Sequence, residues 1–349
     1  MITENMNLFE LTVNLINIPS ISGDEQAVGF FLRDYLESLG WTVELQAVSA
    51  NQNNVIAYLN DSPRVFLSTH IDVVPPHIPA SEDAEKIYGR GACDAKGIVA
   101  SQIVAAEKLR KQGIRDIGLL FTVEEEEGGA GAKKANEHLI AQKCEYIING
   151  EPTDNDLAIG SKGSLRFYIK TVGKAAHSAY PEHGESAIEK LLEILNDVRQ
   201  IEFPVDEFYG ETTNNIGTIS GGLKTNVIAP NAKAGLHIRT TGDEEPILER
   251  IAEVVGERGA IEVMSVSKPV KMLHVEGFKQ KVVRFTTDIP HLSNWGQPLL
   301  LGAGSILVAH TKDEFVLKKD LEEAVELYVK LVKSLLKQDE QDLQDKSVC

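Results

Sequence analysis

Residues 122–132 read Thr-Val-Glu-Glu-Glu-Glu-Gly-Gly-Ala-Gly-Ala, four consecutive carboxylates that close an apolar run and open onto glycines. The run before them, Ile117 to Val123, has the length and composition of a buried strand. Four acidic side chains at a strand end repel one another unless a cation or water absorbs their charge. The pattern recurs: Arg64 to Thr69 ends in His70-Ile71-Asp72, Tyr146 to Asn149 in Gly150-Glu151, and Ser305 to Ala309 in His310. Open α/β sheets place ligands at the carboxyl ends of their strands. Four apolar strands that each deliver His, Asp or Glu there make a metal site the leading reading.

Around these strands the first half alternates helix and strand, with helices expected at Leu8 to Ile18, Glu25 to Ser38 and Gly97 to Lys111. That alternation predicts an α/β fold, a mixed and largely parallel sheet sandwiched by helices. The texture changes after Ser161. Strand Ser164 to Val172, helix Glu185 to Arg199, strands Asn215–Ile219 and Ala232–Arg239, helix Glu244 to Val255 and strand Ile261–Ser267 follow one another. This order predicts an inserted ferredoxin-like α+β domain. Residues 163–272 would form it, between the halves 1–162 and 273–349 of a domain that carries the metal site. A closing helix is expected from Lys318 to Leu336, then a polar, frayed tail.

The chain has 349 residues, 42% apolar and 25% charged, which suits two domains with a sizeable core. With 52 acidic residues against 35 basic ones, the formal net charge is -17. That sign, without any Lys/Arg block, argues against nucleic acid and anionic membranes as partners. Cys93, Cys144 and Cys349 are too few and too scattered for a disulfide framework or a Cys-based zinc site. The first two read as small buried residues and the last as a solvated tail thiol. The amino-terminal segment lacks a basic n-region and no apolar run approaches a membrane span, so a cytoplasmic protein is expected.

His70 and Asp72 are two apart on a strand and point to one face, so an imidazole on metal with a carboxylate behind it is one reading and a surface or core histidine another. Asp94, between glycines in Gly89 to Gly97, suits a helix N-cap as well as a carboxylate brought close to two cations. The quartet admits a solvated helix start or an oxygen-lined calcium loop. Histidines in matching positions favour zinc or a related metal over calcium.

The segments STHIDVVP, YGRGACDAKG, EEEEGGAGA, NGEPTD and AHTKDE, in this order across nearly the whole chain, resemble the di-zinc aminoacylase/carboxypeptidase family. The resemblance implies two Zn2+ ions, with Co2+ or Mn2+ able to substitute. His70 and Glu151 would ligate one, Glu126 and His310 the other, and Asp94 would bridge them while Asp72 orients His70. Anchored on Gly128 and Gly131, the family pattern makes Glu125 the general base. Glu124 stands where the family has Asp, and Gly129 where it has Ser. GKAAHSAYP resembles the segment whose histidine, here His177, stabilises the oxyanion from the partner subunit of a homodimer. Taken alone, His177 in that turn reads as a surface histidine. Asn226, Arg239, Gly304 and Ser305 fall in segments that would contact the substrate carbonyl and carboxylate, the glycine segment Gly302 to Ser305 through backbone N–H groups.

The loop from Pro75 to Tyr88 is shorter than the family's and lacks its tryptophan and Asp-Pro-Phe. The implied reaction is metal-dependent hydrolysis of the amide of a small N-acyl amino acid, most like acetylornithine deacetylase of arginine biosynthesis or its acetyl-lysine and acetylcitrulline relatives. Succinyl-diaminopimelate desuccinylase and a metallo-dipeptidase are the alternatives, and a catalytically silent binding protein is the reading of another class. His77, His138, His183, His237, His274 and His291 have no assigned role.

Overall fold

The run before the acidic quartet is a strand, Ile117–Thr122, buried at every position. Its neighbour Val65–His70 is buried throughout as well. Continuous burial requires cover on both sheet faces, and the apolar residues divide accordingly. Val65, Leu67, Leu119, Phe121 and Ile148 enter one core cluster. The intervening Phe66, Leu120 and Ile147 enter another, around Trp295. Gly118 lets the strands close up, since a Cβ there would lie 2.3 Å from the Phe66 ring.

The computed structural model describes residues 6–346, with side chains through Lys337. The chain forms two units, Met1–Ile159 with Met272–Lys281 and Thr287–Cys349, and Gly160–Lys271 with Val282–Thr286. The chain before the insertion builds α1 (Leu8–Asn17), α2 (Gln26–Ser38), β1 (Thr42–Ser49), β2 (Gln52–Tyr58), β3 (Val65–His70) and α3 (Lys96–Lys111). It continues through β4 (Ile117–Thr122), α4 (Ala130–Ala135), β5 (Tyr146–Asn149) and β6 (Leu157–Ser161). The second unit holds β7 (Ser164–Val172), α5 (Ala187–Val198), β8 (Thr213–Gly221), β9 (Asn231–Arg239), α6 (Glu245–Val255) and β10 (Ala260–Ser267). Back in the first unit are β11 (Gln297–Leu300) and α7 (Lys318–Lys346).

In the first unit the strands run in the order β1-β2-β4-β3-β5-β11-β6. The pairs β4–β3, β3–β5 and β5–β11 are parallel. Their carboxyl ends therefore lie along one edge, and His70, the quartet and Glu151 emerge there. Helices α1, α2, α3 and α7 fill one core with Leu11, Leu15, Leu32, Leu36, Tyr328 and Leu335. Asn7 and Glu10 close a reciprocal capping box at α1. In the second unit the antiparallel order is β8-β9-β7-β10, joined strand-helix-strand-strand-helix-strand. Leu165, Phe167 and Ile169 of β7 pack with Leu191 and Ile194 of α5 and Ile251 of α6. Among the described residues no helix is long and apolar enough to cross a membrane.

Ser305 to Ala309 is not the strand that its apolar run suggested. The segment is a succession of turns, and the nearest strand is β11. Ile306 and Val308 pack on the core while Leu307 is exposed. That alternation imitates a strand without a pairing partner. The closing helix α7 also runs to Lys346, past the expected end at Leu336, while Cys349 lies outside the described residues.

Candidate metal centre

His70 is the last residue of β3 and is buried. Its Nδ1 lies 3.0 Å from the Asp72 backbone carbonyl and 3.3 Å from Asp72 Oδ1. A proton held on Nδ1 by these acceptors leaves Nε2 free to face the site. Nε2 is 3.0 Å from Asp94 Oδ1. The other oxygen of Asp94 is 3.3 Å from His310 Nε2, and that nitrogen is 2.9 Å from Glu126 Oε1. One carboxylate thus addresses two histidines, one with each oxygen. Asp94 does not cap α3: the cap position is Ala95, without a side-chain cap bond. It precedes the helix start, where the dipole favours negative charge.

Two triads result. His70, Asp94 and Glu151 present ligand atoms within 4.8 Å of one another, and so do Asp94, Glu126 and His310. Glu126 is therefore the member of the quartet that meets His310. The chain reaches this arrangement through two residues in the left-handed region, Glu124 at φ 60° and His310 at φ 62°. Such conformations are costly for side-chain-bearing residues and are held by their surroundings. Around Glu124 the surroundings are explicit. Its N–H donates to Glu25 Oε1 at 3.1 Å, and its carboxylate accepts from Gln52 Nε2 at 3.1 Å. Asp72 then accepts the N–H of Glu125 at 3.1 Å and of Glu126 at 3.2 Å, with Ser22 Oγ at 2.7 Å.

The electrostatics follow from crowding carboxyl groups away from water. Burial pushes the Glu125 carboxyl well above the usual range, and Asp288, Glu126 and Asp72 add to the push. Glu151 is raised well above its usual range by burial and by Glu125. Burial opposes the charge on His70, but its bonds to Asp72 and Asp94 prevail and raise its pKa. Bonds to Asp94 and Glu126 take His310 up to about 10. Asp94 itself is lowered, since its bonds to His310 and His70 outweigh its burial. Glu151 Oε1 is buried with no hydrogen-bond partner, beside His70 and Asp94. An orphaned carboxylate oxygen next to an imidazole and a shared carboxylate fits a divalent cation, and the mixed nitrogen and oxygen donors suit zinc or a related metal.

Two residues join this site that sequence reasoning missed. Asp288 is buried, accepts from Thr122 Oγ1 at 2.7 Å, and burial lifts its pKa to about 6. No local signal marks it in Thr286-Thr287-Asp288-Ile289. Glu314 is buried against the Asp94 loop, where Oε1 accepts the N–H of Gly91, Cys93 and Asp94. Its only sequence signal is its place four residues after His310. The glycine segment also corrects an expectation. The Gly302 N–H donates to Thr153 Oγ1 at 3.0 Å, so it does not offer itself to a substrate. Gly304, at φ 83°, lies so near Cys93 that a Cβ would meet it at 2.6 Å. Ser305, half-buried, follows it and bridges to Thr153.

His177, Asn226 and Arg239 lie in the second unit. His177 is exposed, and its Nδ1 accepts the Ala179 N–H at 3.2 Å. Asn226 is exposed, and Arg239 Nη1 donates to Thr286 Oγ1 at 3.0 Å. His237 bonds Ser164 Oγ at 2.8 Å, and burial lowers its pKa to about 4, a structural role.

Residues 66–334 match the family described as peptidase family M20/M25/M40. The chain is 41% identical over 337 residues to a peptidase M20 domain-containing protein of Schizosaccharomyces pombe, covering 93% of this chain and 84% of that one. It is 39% identical to a probable carboxypeptidase of Paracoccidioides brasiliensis, covering 95% and 86%. An M20 family metallo-carboxypeptidase of Sulfolobus solfataricus has the same fold, with a TM-score of 0.76 at 18% identity over 95% of this chain and 99% of that one. The match to the family spans both triads, and the chain belongs to peptidase family M20/M25/M40 as a metal-dependent hydrolytic enzyme.

Proposed function

We propose that this enzyme hydrolyses the amide bond of a small N-acyl amino acid at a centre of two Zn2+ ions, with N-acetylornithine, N-acetyl-lysine or N-acetylcitrulline as substrate. The observation that carries the reading is the pair of triads sharing Asp94, with Glu125 in the same field. His70 and Glu151 would hold one ion and Glu126 and His310 the other, with Asp94 shared between the two groups. When bound, such ions polarise a carbonyl and acidify water. Glu125 takes the proton of the attacking water and returns it to the leaving amine.

His177 of a second copy, in a homodimer, donates to the oxyanion. Its Nδ1 is occupied as an acceptor, so the proton stands on Nε2. Arg239 holds the substrate carboxylate with Gly304 and Ser305 near it, and Asn226 meets the carbonyl. The carboxypeptidase name of the fungal relatives supports a substrate with a free carboxylate beside the scissile amide. A net charge of -17 argues against nucleic acid or membrane partners and accords with a cytoplasmic enzyme.

The deciding experiment combines metal analysis of purified protein with a panel of N-acetyl and N-succinyl amino acids and dipeptides. Two equivalents of metal and release of acetate are expected. Cleavage of succinyl compounds or dipeptides alone would move the substrate to the desuccinylase or dipeptidase class. Neither metal nor turnover on any member would leave a silent binding protein.

A further inference from the structure

Glu314 is the most heavily engaged acceptor near the site. Its Oε1 takes three backbone N–H groups, those of Gly91 at 3.0 Å, Cys93 at 3.2 Å and Asp94 at 3.2 Å. Its Oε2 takes Arg90 Nη1 at 2.7 Å, and the same Nη1 also donates to the Thr311 carbonyl at 3.1 Å. The Glu314 backbone carbonyl accepts the Gly89 N–H at 3.1 Å. Residues 89 to 94 are thus wrapped around one buried carboxylate delivered by the arm that carries His310. Strand pairing continues the same seam, with Phe315 opposite Tyr88, Val316 opposite Ile87 and Leu317 opposite Lys86.

The consequences for the two triads are unequal. On one side, Asp94 Oδ1 meets a buried imidazole at the end of β3, backed by Asp72. On the other, Asp94 Oδ2 meets His310, which is half exposed on a left-handed turn and is joined otherwise to Glu126. A rigid strand fixes the first geometry. The second depends on where the Asp94 backbone stands relative to the His310 arm, and within this seam Glu314 is the side chain that bonds the Asp94 N–H itself. A displacement of about 1 Å separates a ligand set that works from one that does not.

We propose that Glu314, clasped by Arg90, is a positioning residue that holds Asp94 in its bridging orientation, so that the His310 half of the centre takes its ion tightly only with this clasp in place. The proposal rests on the two-metal reading above. Calorimetric titration of the metal-free full-length protein with Zn2+ alone tests it, with thermal unfolding and near-ultraviolet circular dichroism as the measure of folding. Wild-type protein takes up two ions. Glu314→Gln keeps the first affinity within about 3-fold and weakens the second by about 10–100-fold, in a protein that still unfolds cooperatively.

Equal weakening of both ions would mark a merely structural role and overturn the proposal, as would two unchanged affinities. Should Glu314→Gln not fold, Arg90→Lys keeps the charge but loses the fork between Glu314 and Thr311, and the same unequal loss is expected. Wild-type protein that takes up fewer than two ions would refute the two-metal reading itself, before any variant is compared.

Discussion

Asp72 accepts the backbone N–H of Glu125 at 3.1 Å, so the residue behind the His70 imidazole also holds the second residue of the acidic quartet. One side chain couples two neighbouring parallel strands at the edge where the site is built. Asp72→Asn replaces one acceptor oxygen by a donor and removes the charge facing His70. Metal affinity should fall about 10–100-fold, and stability by about 1–3 kcal/mol for the N–H left unpaired. Zinc titration and denaturant unfolding check the two effects.

Glu125 and Glu126 are adjacent, yet they should fail differently. Glu125→Gln should lower kcat by at least about 10²-fold with metal content retained, the loss expected for a proton shuttle. Glu126→Gln removes the charge nearest His310 Nε2 and should cost metal as well as rate. Metal analysis beside steady-state kinetics separates them, and loss of metal in Glu125→Gln with little effect of Glu126→Gln would shift the register by one, to Glu124 as base and Glu125 as ligand.

Glu25, which is not itself a proposed ligand, offers a pH test. Burial raises its carboxyl from 4.5 to about 7, although a bond from Gln52 works the other way. Between those values the unfolded chain gives up a proton that the folded protein keeps, so this residue makes stability fall as pH rises through that window. Below about 4.5 its contribution is fully present. Glu25→Gln should therefore gain on wild-type protein in Tm from pH 5 to 8. Parallel Tm curves would exclude Glu25 as the titrating group.

Gly304 tests whether the glycine segment serves packing. An alanine there would need φ 83° and a Cβ 2.6 Å from that of Cys93. A loss of about 1–3 kcal/mol is expected from the backbone conformation alone, read by thermal unfolding.

Arg239 should act on binding rather than chemistry. Arg239→Met is expected to raise KM about 10–100-fold, the loss of a charged hydrogen bond of roughly 1.5–3 kcal/mol, with kcat within a few-fold. A fall in kcat at constant KM would instead place Arg239 in the chemical step.

The strands that end in His70, the quartet and Glu151 were legible because continuous apolar runs and the charges that stop them are local properties of the chain. The same local logic marked the strand and helix order of the second unit. The pattern failed at Ser305 to Ala309, where alternating burial comes from a turn lying on the core rather than from a strand. Resemblance of short motifs supplied Asp94, which spacing alone left open between a cap and a bridge.

Asp288 left no local signal, and Glu314 only its place four residues after His310. Asp288 meets Thr122 across 166 positions, and Glu314 meets Gly91 across 223. Neither partner leaves a mark in the residues around the other. The sequence by itself determined which side chains carry charge to the edge of the sheet. Only the tertiary structure decided which oxygen faces which histidine, because a bridging carboxylate is defined by the meeting of three distant segments, each positioned by its own packing.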